Sequence, residues 1–323
     1  MRKLFIGVAA TAVIALAAGC TPATSAQPGG TASGPARDTK SISLFMTHMS
    51  NEFTITLSSA VEAQVAARGY QYKVYDAAQD AAKQQTQIEQ AVSLGVGAIV
   101  IEPVSVDGIV PAVRAAKAAG VKVVIVNQKI SDPSAANAYV GADNVATGKA
   151  VMDQASADLG GKGDLALLLG PMGSDGQVGR SEGFQKVIDA NAGFKVVFQD
   201  AANWETEPAL SLVENWLNSG KNLDAIISQN DGMAVGAAKA VSDKKLTGKI
   251  KIYGVDATSE GLQAVLDGKL AATIGQGTAQ QGTLAADAAA DLLEGKTVEA
   301  ETIVPNDVYT KANAQAALDA LKK

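Results

Sequence analysis

The sequence predicts an α/β protein with two doubly wound, parallel-sheet lobes, joined by a hinge of three chain crossings around a ligand cleft. Three observations support this fold. Short apolar, β-branched runs alternate with helical patterns from Ser41 onward, as they do in βαβ units. There are more of these runs than the strands that a single open sheet usually contains. Several of them end in polar side chains, at the edge where open α/β sheets bind ligands.

The first half of the chain keeps this alternation, with short turns between elements. We predict strands at Ser41–Met46, Tyr70–Asp76, Ala98–Ile101, Val121–Val126 and Asn137–Val140, and helices at Phe53–Arg68, Ala81–Leu94 and Ile109–Ala119. Gly120 follows the last of these helices, and glycine readily adopts the backbone conformation that ends a helix. The VKVVIV run at 121–126 is typical of a strand that is buried on both faces.

The second half repeats the pattern with new strands. We predict strands at Leu165–Leu169, Phe194–Ala201, Ala225–Ile227, Ile250–Val255, Leu270–Gly275 and Glu301–Val304, and helices at Val145–Leu159, Pro208–Ser219, Ala279–Leu293 and Ala312–Leu321. We interpret Gly170–Gly179 as a loop, followed by a helix that ends at Ala190. Another helix opens at Met233, and Asp231 is the side chain that we expect to cap it.

Breaks in this rhythm divide the chain into lobes. The GADN sequence at 141–144 interrupts the alternation, and we place a boundary near Asp143, a second crossing near Gln276 and a third near Val304. The first lobe is then 41–142 plus 277–303, and the second is 143–276 plus 304–323. Several short crossings between two lobes predict closure by hinge rotation.

The amino terminus carries the pattern of an export signal. Two basic residues precede the apolar run Leu4–Ala18, which is too short for an ordinary transmembrane helix. Small residues then precede Cys20, and this arrangement resembles a bacterial lipoprotein signal, which is cleaved before a cysteine that becomes diacylated. A plain secretory signal is the alternative, because Ala17 stands where leucine is commoner.

We therefore interpret residues 1–20 as a signal peptide and Cys20 as the site of lipid attachment. Cys20 is the only cysteine, so no disulfide can form within the chain. Residues 21–40 are small, rich in Pro, Gly, Ser and Thr, and without periodicity. We expect them to form a flexible tether with a reach of roughly 25 Å.

Composition argues against several classes of protein. The net charge of −6 disfavours nucleic-acid binding, which needs a basic surface. His48 is the only histidine, so neither a histidine metal cluster nor a Ser–His–Asp triad is indicated. No glycine-rich fingerprint for a dinucleotide or for ATP is present with the right spacing. We expect no enzyme activity, no cofactor and no bound metal.

Three consecutive strands of the second half deliver polar side chains to one sheet edge. Asn230 follows Ala225–Ile227, Asp256 follows Ile250–Val255, and Gln276 follows Leu270–Gly275. Such an edge binds a ligand only if the side chains face a cleft, and Asp256 could instead cap the next helix. The parallel positions of two amides favour ligand contact.

Five sequence segments carry a resemblance to a known family. They are SNEFT, GRSEGF, SQNDGMAVGA, YGVDAT and DGKLAATIGQ. In this order and spacing they resemble the ribose-binding branch of bacterial solute-binding proteins, which feed ABC importers, over nearly all of Ser41–Thr310. The resemblance implies a monomeric binding protein at the outer face of the cytoplasmic membrane or in the periplasm, with a membrane permease as its partner.

The resemblance also implies a set of ligand-binding residues. They are Thr47, Asn51, Phe53, Asn127, Gln128, Trp204, Asn230, Asp256 and Gln276. Asn127 and Gln128 stand where ribose binders have Asp and Arg, and Val178 stands where they have another arginine. Arg180, two helical residues further on, would point about 200° away. We therefore expect no arginine in the site.

These residues indicate a small, neutral ligand. Amide side chains offer donors and an acceptor in one plane, and a carboxylate offers acceptors, so together they suit adjacent hydroxyl groups. A buried carboxylate or phosphate ligand would call for an arginine. We predict a neutral sugar or a sugar alcohol, in ring or open-chain form. The alternative function is a sensor component that presents the same ligand to a receptor kinase or chemoreceptor.

Overall fold

A computed structural model describes residues 37–321. The expected signal peptide, Cys20 and the tether up to residue 36 lie outside the described residues. The expected end of the tether at residue 40 is wrong, because the first strand begins at Asp38. Backbone pairing of Asp38 with Val96 and hydrogen bonds from Arg37 to the carbonyl groups of Val92 and Ala119 hold this segment, although its polar side chains show no strand pattern.

The first part of the described chain alternates strands and helices. Its elements are β1 (Asp38–Met46), α1 (Glu52–Ala67), β2 (Gln71–Asp76), α2 (Ala81–Ser93), β3 (Val96–Ile101), α3 (Val110–Ala118), β4 (Lys122–Val126) and β5 (Ala138–Gly141). A short 3₁₀ turn at Pro133–Ala135 precedes β5. All of these strands and helices were predicted, with shifts of a few residues at their ends.

The remaining elements follow in the same alternation. They are α4 (Asn144–Leu159), β6 (Lys162–Leu169), α5 (Asp175–Ala190), β7 (Gly193–Ala201), α6 (Thr206–Asn218), β8 (Ala225–Ser228), α7 (Asp231–Asp243), β9 (Lys251–Asp256), α8 (Ser259–Leu266), β10 (Ala272–Gly275), α9 (Thr278–Leu293), β11 (Glu301–Ile303), β12 (Asp307–Thr310) and α10 (Ala314–Ala320). The sequence patterns predicted neither α8 nor β12.

The strands form two six-stranded sheets. The first has the order β11-β5-β4-β3-β1-β2 and the second the order β12-β10-β9-β8-β6-β7. The pairs are parallel except for β12, which runs antiparallel to β10 with Asp307 opposite Gly275. The chain leaves the second sheet at the carboxyl end of β10 and returns at the same end to form β12. The two strands therefore run in opposite directions.

Each sheet is covered on both faces, as the sequence predicted. In the first lobe, α1 and α9 pack on one face and α2 and α3 on the other. In the second lobe, α4 and α5 cover one face, and α6, α7, α8 and α10 cover the other. Four apolar clusters therefore fill the space between sheets and helices, and they fix the strand edges at which polar side chains collect.

The chain passes between the two sheets three times. The connections are 142–143, between β5 and α4, 276–277, between β10 and α9, and 304–306, between β11 and β12. Gln276 itself lies in one of these connections. We keep as a proposal that these three short segments are the hinge of the molecule and the limits of its domains.

The start of α5 differs from the prediction and matters for the site. The segment 170–179 was expected to be a loop, but α5 begins at Asp175, with Ser174 as its N-cap accepting a hydrogen bond from the amide of Gln177. Glycines let α5 approach α4 closely. A Cβ at Gly183 would stand 2.4 Å from the carbonyl oxygen of Val145, so only glycine fits there.

None of the helices within residues 37–321 is both long and apolar enough to cross a membrane. The same part of the chain holds no group of three or more His, Cys, Asp or Glu side chains placed to bind a metal ion.

Candidate functional site

A cavity lies between the carboxyl edges of the two sheets. All nine side chains predicted from the sequence line it: Thr47, Asn51, Phe53, Asn127, Gln128, Trp204, Asn230, Asp256 and Gln276. Five further residues complete the wall, namely His48, Thr54, Glu102, Gly176 and Arg180. The structure thus brings the predicted residues together, and their contact with a ligand stays a prediction.

In the first lobe, Asn51 has two tasks. It is the N-cap of α1, and its Oδ1 atom accepts a hydrogen bond from the amide of Thr54 at 3.0 Å. Its Nδ2 group makes no hydrogen bond with the described residues, so these two N–H groups are available to a ligand. Phe53 follows in the first turn of α1 and is buried, which places an aromatic face beside the amide.

Glu102 organises the rest of the first-lobe wall, although it was not among the residues predicted from the sequence. Its carboxylate is 1% exposed. One oxygen accepts hydrogen bonds from the amide and the hydroxyl of Thr47, and the other accepts one from Nδ2 of Asn127 at 2.7 Å. The Oδ1 atom of Asn127 is thereby left as an acceptor for a ligand. Glu102 follows β3 directly, so the rule that identified Asp256 could have identified it as well.

His48 also lies in the wall. It is 5% exposed, and its Nδ1 atom lies 2.8 Å from the hydroxyl of Ser50. Its Nε2 atom makes no hydrogen bond with the described residues. The imidazole therefore has one nitrogen held by the protein and one available to a ligand.

In the second lobe, the expected cap of α7 is wrong. Asn230, not Asp231, is the N-cap, and its Oδ1 atom accepts a hydrogen bond from the amide of Met233 at 3.0 Å. Asp231 is instead fully buried and accepts hydrogen bonds from Thr258 and Thr273. Its carboxylate fixes the loop after β9, while the Nδ2 group of Asn230 bonds to the carbonyl of Trp204 and faces the cavity.

The centre of the second-lobe wall is a chain of three side chains. Gln276 donates from Nε2 to Asp256 at 2.6 Å and accepts through Oε1 from Arg180 at 3.1 Å. Arg180 also donates to the carbonyl of Gln229 and to Asn144. Three of its five N–H groups are thus used within the protein. The remaining two have no acceptor among the described residues, and Arg180 lines the cavity.

The position of Arg180 corrects the prediction that the site lacks an arginine. Because α5 already begins at Asp175, Gly176 and Arg180 are four helical residues apart and share the face that lines the cavity. Val178 points the other way and is 53% exposed, whereas Arg180 is 4% exposed. The angle between the two side chains was predicted correctly, but the wrong one was assigned to the cleft.

Unusual backbone conformations hold several wall residues in place. Asp256 has φ +119°, Asn127 has φ +62° and Trp204 has φ +69°, values that non-glycine residues rarely adopt and that concentrate at functional sites. The indole ring of Trp204 lies against the backbone of Gly170, where an added Cβ would come within 2.1 Å of the ring. Arg180 stacks over this ring, 5.4 Å from its centre.

Burial shifts the pKa values of the two charged side chains in this set of contacts, Asp256 and Arg180. It raises the pKa of Asp256 to about 7, and the nearby Arg180 charge and the Gln276 hydrogen bond oppose this shift. Burial likewise lowers the pKa of Arg180, while the Asp256 and Asp175 carboxylates oppose that shift. Burial also raises the pKa of Asp231, and the Asp256 charge adds to the increase. Each charge in the cavity therefore depends on the other for stabilisation.

The fold and the cleft are those of a bacterial solute-binding protein. A family model for the periplasmic binding protein domain matches residues 42–297. The chain therefore belongs to this family, which consists of solute-binding proteins and not of enzymes. The resemblance to ribose-binding proteins that the sequence indicated is confirmed.

Two relatives that are named for the ligand they bind match most of this chain. The chain is 32% identical over 286 residues to a xylitol-binding protein of Mycolicibacterium smegmatis, covering 87% of this chain and 80% of that one. It is 33% identical to the ribose import binding protein RbsB of Haemophilus influenzae, over 85% and 92% of the two chains.

A solved structure agrees with the fold. An ABC transporter solute-binding protein from Bacillus halodurans, crystallised with bound myo-inositol, superposes with a TM-score of 0.84 at 29% identity, covering 89% of this chain and 98% of that one. The architecture of two α/β lobes that the sequence predicted is therefore confirmed.

The raised pKa of Asp256 predicts a pH-dependent stability. Since the folded protein holds this proton more tightly than the unfolded chain, stability of the ligand-free protein should fall as pH rises from about 4 to about 7. Asp256→Asn removes that dependence. It also removes the negative charge that adds to the raised pKa of Asp231. We expect the variant to unfold several degrees higher than wild type at pH 8, with little difference at pH 4.5, corresponding to at most about 4 kcal/mol.

Differential scanning calorimetry of both proteins across this pH range measures the effect. The exposed pair Lys239–Asp243 offers a control, because Asp243→Asn removes a carboxylate of the same lobe that water already solvates. Parallel pH profiles for wild type and Asp256→Asn would show that the buried carboxylate carries no such cost.

Proposed function

We propose that this protein is an extracytoplasmic solute-binding lipoprotein of an ABC importer, and that it binds a small neutral sugar or sugar alcohol in the cleft between its lobes. The observation that carries this proposal is the wall of the cavity. Hydrogen-bonding groups from both lobes face the same space, and charged groups of both signs are among them.

The reason for a neutral ligand is that the wall carries charges of both signs, and not the lack of an arginine that the sequence predicted. Arg180 could attract an anion, but Asp256 is linked to it through Gln276, and Glu102 adds a second carboxylate to the wall. An anionic ligand would face both carboxylates. A cationic ligand would face Arg180 in a space where charges are weakly screened. An uncharged molecule meets neither penalty.

Hydroxyl groups match the unpaired atoms of the wall. Donors are left on Asn51 and Arg180, and acceptors are left on Asn127 and Asp256. A hydroxyl both donates and accepts, so a carbon chain or ring bearing several of them can satisfy both kinds of group at once. Phe53 and Trp204 supply apolar faces for the CH groups of such a ligand.

The relatives support this class of ligand. Their names and bound molecules are xylitol, ribose and myo-inositol, all small polyhydroxylated compounds. We extend that class to this chain on the strength of the shared family and the kept amide and carboxylate set, without choosing among ring and open-chain forms.

The lipid anchor is proposed from the amino-terminal sequence. The basic residues, the apolar run Leu4–Ala18 and the small residues before Cys20 support export and lipidation. An anchored binding protein would act beside its permease at the outer face of the cytoplasmic membrane or in the periplasm.

We predict that Cys20 is the first residue of the mature protein and carries a diacylglycerol group. Mass spectrometry of the amino-terminal peptide from membrane-derived protein should show the adduct, and Cys20→Ser should abolish it and release the protein from the membrane fraction. A mature chain that begins elsewhere, or an unmodified Cys20 thiol in membrane-derived material, would contradict the lipoprotein assignment.

Ligand binding itself is tested by titration calorimetry. The panel is xylitol, D-ribose and myo-inositol, with an amino acid and a sugar phosphate as charged competitors. We expect wild type to bind at least one neutral compound, and Asp256→Ala to weaken that binding by about 2–4 kcal/mol, or roughly 30- to 1,000-fold, since hydrogen bonds to a charged acceptor are lost.

The matched control is Asp243→Ala, which removes an exposed carboxylate of the second lobe and should leave affinity unchanged. Tight binding of the amino acid or the phosphate ester, or full affinity in Asp256→Ala, would mean that the pocket serves a different class of ligand.

A further inference from the structure

A second set of contacts between the lobes lies outside the ligand cavity, and Glu52 is at its centre. Glu52 is in the first turn of α1, in the first lobe. Its Oε1 atom accepts hydrogen bonds from the amide of Ser259 at 2.6 Å and from the Ser259 hydroxyl at 2.5 Å, and Oε2 accepts one from the amide of Glu260 at 3.3 Å. Both partners belong to α8, in the second lobe.

The contact completes the amino-terminal end of α8. The first N–H groups of a helix have no acceptor within the helix and carry partial positive charge. Thr258, the N-cap, accepts from the amide of Gly261. The amides of Ser259 and Glu260 are the two that Glu52 satisfies from the opposite lobe. A carboxylate is the acceptor best suited to this position.

The chain places this contact directly beside the proposed ligand contacts. Glu52 stands between Asn51 and Phe53, which both line the cavity. On the other side, only two residues separate Ser259 from Asp256. The Glu52–α8 contact can therefore form only when the wall that carries Asn51 and the wall that carries Asp256 lie as close together as they do in this structure.

Two other contacts cross the cleft but are less suited to hold it shut. Glu205 accepts from Ser50 at 2.9 Å and from Gln79 at 3.4 Å, through a single oxygen at an exposed site. Asp175 accepts from the amide of Lys129, but the same oxygen is also bonded to Asn144 in its own lobe. Of these three carboxylates, only Glu52 uses both oxygens across the cleft.

We infer that Glu52 is a positioning residue that sets ligand affinity by stabilising the closed arrangement of the lobes, although it is not part of the cavity wall. The inference rests on the proposed function for the identity of the ligand. Its contribution appears in the dissociation rate, because the ligand enters the open form and must wait for the contact to break before it leaves.

The test compares Glu52→Ala with wild type by stopped-flow kinetics, with xylitol, D-ribose and myo-inositol as probes. We expect the dissociation rate to rise about 10- to 100-fold, as the loss of hydrogen bonds to one charged group predicts, with the association rate little changed. Glu62→Ala is the control, since Glu62 is exposed on the same helix and should leave both rates unchanged.

We call the contact of Glu52 with Ser259 and Glu260 the latch. The Ser259→Ala variant distinguishes a specific effect of this latch from a general effect on structure. It removes one of the three bonds and should raise the dissociation rate by less than Glu52→Ala does, and it should have no further effect when Glu52 is already alanine. Additive effects of the two substitutions, an unchanged dissociation rate in Glu52→Ala, or a loss confined to the association rate would each overturn the inference.

Hydrogen exchange distinguishes failure of the latch from failure of the proposed function. If no probe binds wild type, the proposed ligand class is wrong, and the ligand-free proteins still test the latch. We expect the amides of Ser259 and Glu260 to exchange faster in Glu52→Ala than in wild type, while Gly261, bonded within its own lobe, stays the same. Equal exchange at Ser259 and Glu260 in both proteins would overturn the latch.

Discussion

The buried chain Arg180–Gln276–Asp256 is the interaction on which the rest of the site depends. A lone carboxylate or guanidinium at this depth would carry a large desolvation cost. Gln276 links the two by accepting from one and donating to the other, so both charged groups have a partner in the wall of the cavity. Gln276 also lies in the connection between β10 and α9, which joins this chain of contacts to a crossing between the lobes.

The wall residues of the cavity serve the fold as well as the site. Asn51 and Asn230 cap α1 and α7 with their Oδ1 atoms, and this fixes the orientation of their Nδ2 groups toward the cavity. Glu102 orients Asn127 in the same way from a neighbouring strand. Because the acceptor or donor that is left over is held by a bond on its other side, the wall is organised before a ligand arrives, which limits the entropy lost on binding.

The sequence predicted the two-lobed architecture and three of the wall residues that follow strands. Buried β-branched runs marked the strands, and Asn230, Asp256 and Gln276 could be placed because each comes within a few residues of the end of such a run. Glu102 follows β3 in the same way, yet its importance lies in bonds to Thr47 and Asn127 from two other strands, and no local pattern reveals them. α8 is short, and β12 is set by the crossing that precedes it, so neither carries a periodic signal of its own.

Arg180 shows why a side-chain direction needs the true start of its helix. Ser174 and Gln177 have the spacing of a helix amino terminus, and that signal could have moved the start of α5 from Gly179 to Asp175. The helical angle then assigns Arg180 to the cleft and Val178 to solvent. One misplaced turn thus changed the expected charge of the pocket, and with it the physical reason for a neutral ligand.

A crystal structure with bound xylitol, D-ribose or myo-inositol, whichever wild type binds most tightly, tests the central claim most directly. The account predicts one molecule between the lobes, with hydroxyl oxygens within hydrogen-bonding distance of both the Asp256 carboxylate and the Arg180 guanidinium. A molecule bound outside this cavity, or held within it without contact to Asp256, would contradict the account.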